Sequence, residues 1–478
     1  MRPLRIGQRW RDSGIAWTIG VVFSLCLYRN GARLGFDSYY YCELAKLYAK
    51  AWPPAFGNHW PCGYPLLGGL LGRLGFPAFP ALTLVSLAAL AVLTGVATGL
   101  VRERFLICAL ASAPIIGVQV FGAATELPFA AALVGLAAAL ARWPKPPALW
   151  MAAACALIAL GLRYAGVIAF GVLWIWLVSD VRALRAAGKL THASIAVASA
   201  TVVAAGLLLW NLRATGHLSG ADRAAREGLG WNSLPGHLAD FGWSLPSALM
   251  IGGVRDRIGF GGTGQAIGWG VAIAGGLFCA WSALRPRRSW VRPFAFVALG
   301  YGGGMVILRS IGSFDALYNA RTFLPLIFPM GLMLAGQCPA RISWLAPGAA
   351  GIIFIAAAAS AVRGLSQQIG GDVRLAVPIL KARLNPGDGV QVNDFALSLT
   401  ADIRQRVYRA WPEYQTQIPH QRFLVVSAEP VDRSGTPGRV DPAWLNLCDR
   451  LVAQGTHRWL LRTPGLLVLE RTTGAAPP

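Results

Sequence analysis

Residues 35–65 read GFDSYYYCELAKLYAKAWPPAFGNHWPCGYP. The stretch follows the first apolar run of the chain. It sets one acid, Asp37, among Phe36, Tyr39, Tyr40 and Tyr41, and closes on the tight-turn cluster Pro61-Cys62-Gly63-Tyr64-Pro65. If the flanking runs are membrane helices, Asp37 falls at a membrane surface. A carboxylate there costs free energy unless it has a partner or a task. Spacing alone leaves two readings open: an acid stabilising the N-terminus of a helix Ser38–Lys50, or an acid that faces a site.

The rest of the chain decides the fold class. Its 478 residues are 55% hydrophobic and 13% charged, with a mean hydropathy of +0.51. A soluble domain carries roughly 25% charged residues, so the composition is that of a polytopic α-helical membrane protein. A span needs about 20 mainly apolar residues. Runs of that kind are predicted at Gly14–Tyr28, Phe79–Val101, Phe105–Gly122, Thr125–Ala141, Leu149–Leu162, Ala165–Val178, Ile195–Trp210, Ala266–Leu284, Pro293–Leu308, Thr322–Ala335 and Trp344–Val362. They amount to about eleven transmembrane helices, with boundaries good to a few residues. Arg2, Arg5, Arg9 and Arg11 precede the first run without a clean cleavage site after it, which favours an uncleaved first helix over a signal peptide.

The net charge of +22 is not the footprint of a nucleic-acid binder. The basic residues lie mostly in short gaps between apolar runs. Arg102, Arg104, Arg142, Lys145, Arg182, Arg185, Lys189, Arg285–Arg292 and Arg341 fill alternate loops. The positive-inside rule puts those loops and the N-terminus in the cytoplasm. The opposite face then receives the first loop, the Thr125–Glu126 turn, the Arg163–Tyr164 turn, the loop Asn211–Gln265 and the turn Arg309–Arg321. Polar residues gathered at helix ends on one face imply a shared cavity. After Val362 the composition turns mixed, with strands predicted at Gly389–Phe395, Arg422–Ser427, Trp459–Arg462 and Leu466–Arg471 and a helix at Pro442–Gln454. Residues 1–362 and 363–478 thus divide into a membrane domain and a small α/β domain outside the cytoplasm.

Of the eight cysteines, most fall in or beside apolar runs and read as small buried residues. Cys42 and Cys62 share the first loop and could pair if it faces an oxidising compartment. There is no Walker loop and no metal signature such as HExxH, so no metal or other cofactor is expected; a loosely held divalent cation is the one exception the first loop allows.

Four charged residues could carry chemistry. Asp37 could take a proton from an acceptor hydroxyl or orient it. Arg163, beside Tyr164 in GLRYAG, is a base on the side where bases are scarce, and its planar fork suits phosphate; a snorkelling Arg beside an interfacial Tyr explains it equally well. Glu126 in ATELPF could be a helix cap, a sugar-hydroxyl acceptor or a partner for an Arg. Arg321 in NARTFLP could pair with Asp315 to stiffen a turn, or act as a second phosphate ligand. Tyr164, together with His59 and Tyr64 in or beside the Pro61–Pro65 turn, completes the set of candidate substrate contacts, although a lone His is more often structural.

The order of these features is informative. A first-loop Asp, a Gly-Tyr-Pro turn, a Thr-Glu-Leu-Pro-Phe helix start, an Arg-Tyr-Ala-Gly turn and a late Arg-Thr-Phe-Leu-Pro resemble the GT-C superfamily of polyprenyl-phosphate-dependent glycosyltransferases. The bacterial relatives of protein mannosyltransferases and aminoarabinose transferases are the nearest in kind. The likeness covers Met1 to about Val362. It implies that Asp37 is the base or acceptor-orienting acid, that Arg163 and Arg321 touch the lipid-linked phosphate, and that Glu126 lines the cavity. It also implies a lipid-linked sugar donor, a saccharide, lipid or protein acceptor, and a multi-pass location in the plasma (inner) membrane. One departure stands out: many members carry two adjacent acids in the first loop, whereas Ser38 follows Asp37 here. Two rival functions share the composition, a flippase or transporter of lipid-linked saccharides and a polysaccharide polymerase or ligase. A transporter should place polar residues at mid-helix and show internal symmetry, and neither is evident.

Overall fold

The computed structural model describes residues 6–28, 36–50, 61–219, 234–249, 262–311, 320–337, 344–366, 373–410, 421–428 and 439–472. Its elements are α1 (Ile6–Tyr28), α2 (Phe36–Lys50), α3 (Gly63–Arg73), α4 (Ala78–Leu100), α5 (Arg104–Ser112), α6 (Pro114–Val120), α7 (Glu126–Leu140), α8 (Pro146–Leu162), α9 (Val167–Ser179), α10 (Val181–Ala186), α11 (Leu190–Thr215), α12 (Leu234–Leu249), α13 (Gly262–Leu284), α14 (Val291–Ile311), α15 (Ala320–Gln337), α16 (Leu345–Ser366) and α17 (Val373–Lys381). The C-terminal region continues with β1 (Gly389–Val392), α18 (Leu399–Asp402), β2 (Arg406–Arg409), β3 (Phe423–Ser427), α19 (Pro442–Ala453), β4 (His457–Arg462) and β5 (Leu466–Arg471).

Helices occupy every apolar run predicted from the sequence. Among the described residues, five helical stretches are long and apolar enough to cross a bilayer: Ala78–Leu100, Leu190–Thr215, Gln265–Leu284, Val291–Ser310 and Leu345–Val362. Parts of α7, α8, α9 and α15 are apolar but shorter. The run Phe105–Gly122 is two helices rather than one. Ala113 takes an extended conformation (φ −52°, ψ 136°) between them, because the ring of Pro114 disfavours the helical region for the residue before it.

α7 is the axis of the bundle. It is buried on nearly every side and packs against α4, α8, α14 and α15. Its run of Ala, Leu and Phe without a polar stripe is what a helix surrounded by other helices requires. The outer helices turn large apolar side chains outward, among them Val202, Leu277 and Ile355, as lipid contact demands. Close approaches are made at glycine: a Cβ on Gly20 of α1 would lie 2.8 Å from the Ala111 carbonyl oxygen of α5. Small residues at such crossings are the usual means of membrane helix packing.

The bundle has two unlike ends. At one, Arg104 pairs with Asp12 at 2.8 Å, and Gln337 bonds the backbone of Arg285 and Arg287; this is the end of the arginine-rich turns. The other end holds the starts of α2, α7 and α15 and the end of α8.

The C-terminal sheet has the order β2-β1-β3-β5-β4. β2, β1 and β3 run parallel, and β5 pairs antiparallel with β3 and β4. Alternation along β3 sends Phe423 and Val425 toward α17 and Leu424 and Val426 toward α19, the period of two expected of a strand buried on both faces. The sequence reading did not predict β2, since Arg406-Val-Tyr-Arg lacks an apolar run. It also extended β1 to Phe395, where the chain instead enters a short 3-10 turn at Asp394–Ala396. Asp441 caps α19 by accepting from the Ala443 N–H at 2.7 Å, with Pro442 in the first helical position.

His457 at the start of β4 is 3% exposed. Burial and then the neighbouring Arg471 push its pKa down from 6.5 to about 4. The imidazole folds neutral, so the unfolded chain binds more protons between those two values, and stability is lost as the pH falls through that window. Hydrogen-exchange protection of the β4–β5 hairpin, after correction for the slower intrinsic exchange at low pH, is expected to fall from pH 6.5 toward pH 4 in excess of that of the rest of the sheet, and His457→Phe to remove that excess. Equal excess in both proteins would contradict the assignment.

Candidate active site

Four helix ends deliver four charges to one place. Asp37 lies in the first turn of α2 and Glu126 opens α7; both acids sit where the positive end of the helix dipole favours them. Arg163 follows the last turn of α8, where the negative end favours a cation. Arg321 lies in the first turn of α15, the wrong end for a cation, and so depends on nearby acids.

Those acids are present. Arg321 Nη1 donates to Asp37 Oδ2 at 3.1 Å, and its Nε stands 3.6 Å from Glu126 Oε1. Arg163 Nη1 donates to the same Glu126 oxygen at 2.6 Å. The four side chains form one chain of charge, Asp37–Arg321–Glu126–Arg163, joining segments up to 284 residues apart. Burial is graded along it. Glu126 is 4% exposed and Arg163 19%, whereas Asp37 and Arg321 are 34% and 37% exposed. The inner pair is enclosed and the outer pair is reached by solvent. A guanidinium offers five N–H donors, so one Arg can hold a carboxylate on one edge and an anion on another.

Local sequence sets this geometry. Arg163 is extended (φ −148°, ψ 140°), and a 3-10 turn, Tyr164–Gly166, starts α9 directly after it. A Cβ on Gly166 would fall 2.3 Å from the Ala159 carbonyl carbon, and one on Gly63 would fall 2.5 Å from the Gly161 carbonyl oxygen. Both glycines are needed for the tight fold around Arg163. Buried Tyr41 lies in the field of Arg163, Glu126 and Asp37.

The other sequence-predicted contacts are placed differently. Tyr64 is fully buried. Its hydroxyl lies 3.1 Å from both the Leu82 carbonyl and the Ser86 hydroxyl, and its ring packs edge-on against Tyr41 at 5.5 Å; it supports the site from behind. The Tyr164 hydroxyl accepts from Asn211 Nδ2 at 3.0 Å, joining the 3-10 turn before α9 to α11. His59 and Asp315 lie outside the described residues. Cys42 and Cys62 are free thiols, the first buried. Among the described residues, no three His, Cys, Asp or Glu side chains come together as a metal cage.

The sequence reading passed over Arg309. It stands in the last turn of α14, at the same end of the bundle, 7% exposed and 3.8 Å from Asp240 of α12. It shared the signal that marked Arg163, a base at a helix end on the side poor in bases.

The bundle, the surface helix α2 and the C-terminal sheet are together matched in fold by a solved structure. The solved structure of ArnT from Cupriavidus metallidurans, bound to undecaprenyl phosphate, matches over 99% of this chain and 100% of its own, with a TM-score of 0.56 and 13% identity. The oligosaccharyltransferase AglB from Archaeoglobus fulgidus, in complex with an inhibitory peptide and a dolichol-phosphate, matches over 95% and 79% with a TM-score of 0.46 and 11% identity. At such identities the likeness is one of fold. No family model and no curated sequence matches the chain.

Arg163→Leu would leave the buried Glu126 carboxylate with Arg321, at 3.6 Å, as its ion-pair partner. Breaking a buried pair costs about 3–5 kcal/mol, and the remaining Arg321 keeps the expected loss near the low end, about 3 kcal/mol. The thermal midpoint in detergent is expected to fall accordingly; an unchanged midpoint would contradict the pairing.

Proposed function

We propose that the protein is an inverting glycosyltransferase that moves a sugar from a polyprenyl-phosphate donor to an acceptor on the non-cytoplasmic side of the plasma membrane. The observation that supports this most is the continuous cluster of Asp37, Arg321, Glu126 and Arg163 at the end of the bundle opposite the arginine-rich turns. By the positive-inside rule those turns face the cytoplasm, so the cluster opens away from it.

The donor enters from the bilayer with its phosphate toward Arg321 and Arg163, which share its charge as guanidinium forks do. As the phosphate engages Arg321, Asp37 exchanges that partner for the acceptor hydroxyl. The acceptor oxygen attacks the anomeric carbon from the face opposite the phosphate. The carbon–oxygen bond to phosphate breaks, both its electrons leave with polyprenyl phosphate, and the hydroxyl proton passes to Asp37. A phosphate leaving group needs no general acid. Glu126 keeps the two guanidinium groups aligned, so the charge that develops on the leaving group meets donors already in place.

A transporter would place its charged residues along the middle of the membrane helices. Among the described residues, the buried charged side chains of the bundle helices, Asp12, Glu126 and Arg309, instead lie within about two turns of a helix end. That favours chemistry at the surface over passage through the bundle. A role in building the cell envelope completes the proposal.

Asp37→Asn keeps the shape of the side chain and removes the base. With purified protein and lipid-linked sugar, turnover is expected to fall about 10²–10⁴-fold while donor binding persists. Turnover at the wild-type rate would rule out Asp37 as the base.

A further inference from the structure

Helix α2 belongs to two cores at once. At about 100° per residue, Asp37, Tyr41, Ala45 and Tyr48 fall within about 80° of one another, and Tyr39, Glu43 and Lys46 occupy the opposite side. Tyr41 and Ala45 are part of the core of the bundle. Tyr39 is part of the core of the C-terminal region, with Val373, Val390, Val407 and Val425, and its hydroxyl donates to the Val407 carbonyl at 2.7 Å.

The polar contacts across this second face are buried and closely specified. Lys46 and Glu43 are 8% and 6% exposed at their side chains. Lys46 Nζ donates to Glu43 Oε1 at 2.7 Å, to Thr400 Oγ1 at 3.0 Å and to the Gln405 carbonyl at 3.0 Å. An ammonium has three N–H donors, and all three are used. The Thr400 hydroxyl also donates to Glu43 Oε1, and Arg406 Nε stands 3.7 Å from Glu43 Oε2. Apolar packing alone would tolerate rotation and sliding of α2. A buried ion pair with three fixed partners tolerates neither, and setting a single orientation is the best-attested use of such pairs.

We propose that the C-terminal region sets the position of Asp37 through this network, with Glu43 and Lys46 as positioning residues for sugar transfer; the proposal rests on the glycosyltransferase reading above. The lever is long enough to matter. Nine residues of helix separate Asp37 from Lys46, about 13 Å along the axis at 1.5 Å per residue. A tilt of about 10° about the Lys46 anchor therefore moves the Asp37 backbone by about 2 Å. The Asp37–Arg321 contact is 3.1 Å, and a misplacement of about 1 Å can cost about 10²-fold in rate.

The test uses the full-length double variant Glu43→Gln/Lys46→Met, which removes both charges together and leaves neither buried alone. It is compared with wild type and with Asp37→Asn. The expected result is a folded protein with a near-native melting midpoint, a KM for the lipid-linked donor within about 3-fold of wild type, and a kcat lowered about 10–100-fold. Faster hydrogen exchange across residues 36–50 should accompany it, and Tyr39→Phe should shift kcat in the same direction by less. An unchanged kcat overturns the proposal. So does unaltered exchange across residues 36–50, whatever the reaction proves to be. A fall in activity matched by the loss of folded protein, with kcat per folded molecule intact, overturns it as well. Failure of the glycosyltransferase reading shows itself separately, as a wild type without turnover or an Asp37→Asn variant with full turnover.

Discussion

The position of Arg321 constrains everything around it. A guanidinium in the first turn of α15 opposes the dipole of its own helix, so the fold must bring it acids. It brings Asp37 from α2 and Glu126 from α7, and Glu126 in turn holds Arg163. The Arg321 contacts join helices far apart in sequence, the Arg163 contact joins consecutive helices, and each is made at a helix end, where a charge can be stabilised without crossing the hydrocarbon interior. The apolar faces of α4, α7, α8 and α15 bring the ends together; the charges decide how the ends meet.

Two supports keep the cluster in register. The first is backbone packing: Gly63 against Gly161 and Gly166 against Ala159 leave no room for a side chain, which fixes the turn that carries Arg163. The second is α2, which presents Asp37 on one side and is clasped by Thr400, Gln405 and Val407 on the other. Residues on either side of the boundary near Val362 thus share a core at Tyr39, and the C-terminal sheet is part of the framework of the site.

Much of this was legible in the sequence, for a physical reason. Charged residues beside apolar runs are few on the face opposite the arginine-rich turns, so Asp37, Glu126, Arg163 and Arg321 stood out there. Their pairing was not legible. Asp315 lay six residues from Arg321 and suggested a local partner, whereas the structure supplies Asp37 from 284 residues away. Glu43 and Lys46, three apart on a helix, look like an ordinary surface pair; nothing local shows that Thr400 and Gln405 bury them. Tyr64 carried a polar tip in a conspicuous turn, and the carbonyl of Leu82 and the hydroxyl of Ser86 that take it up lie on another helix. The break at Ala113 was visible in Pro114, but the apolar run around it concealed the interruption.

The central claim is that the two guanidinium groups of this cluster receive a lipid-linked phosphate, and it can be tested without knowing the sugar. Binding of undecaprenyl phosphate and of the uncharged polyprenol to the purified protein should be compared by native mass spectrometry, for wild type and for Arg163→Gln/Arg321→Gln. The account predicts preference for the phosphate over the alcohol in wild type, and loss of that preference by about 10-fold or more in the variant. Equal binding of phosphate and alcohol by wild type, or an undiminished preference in the variant, would contradict it.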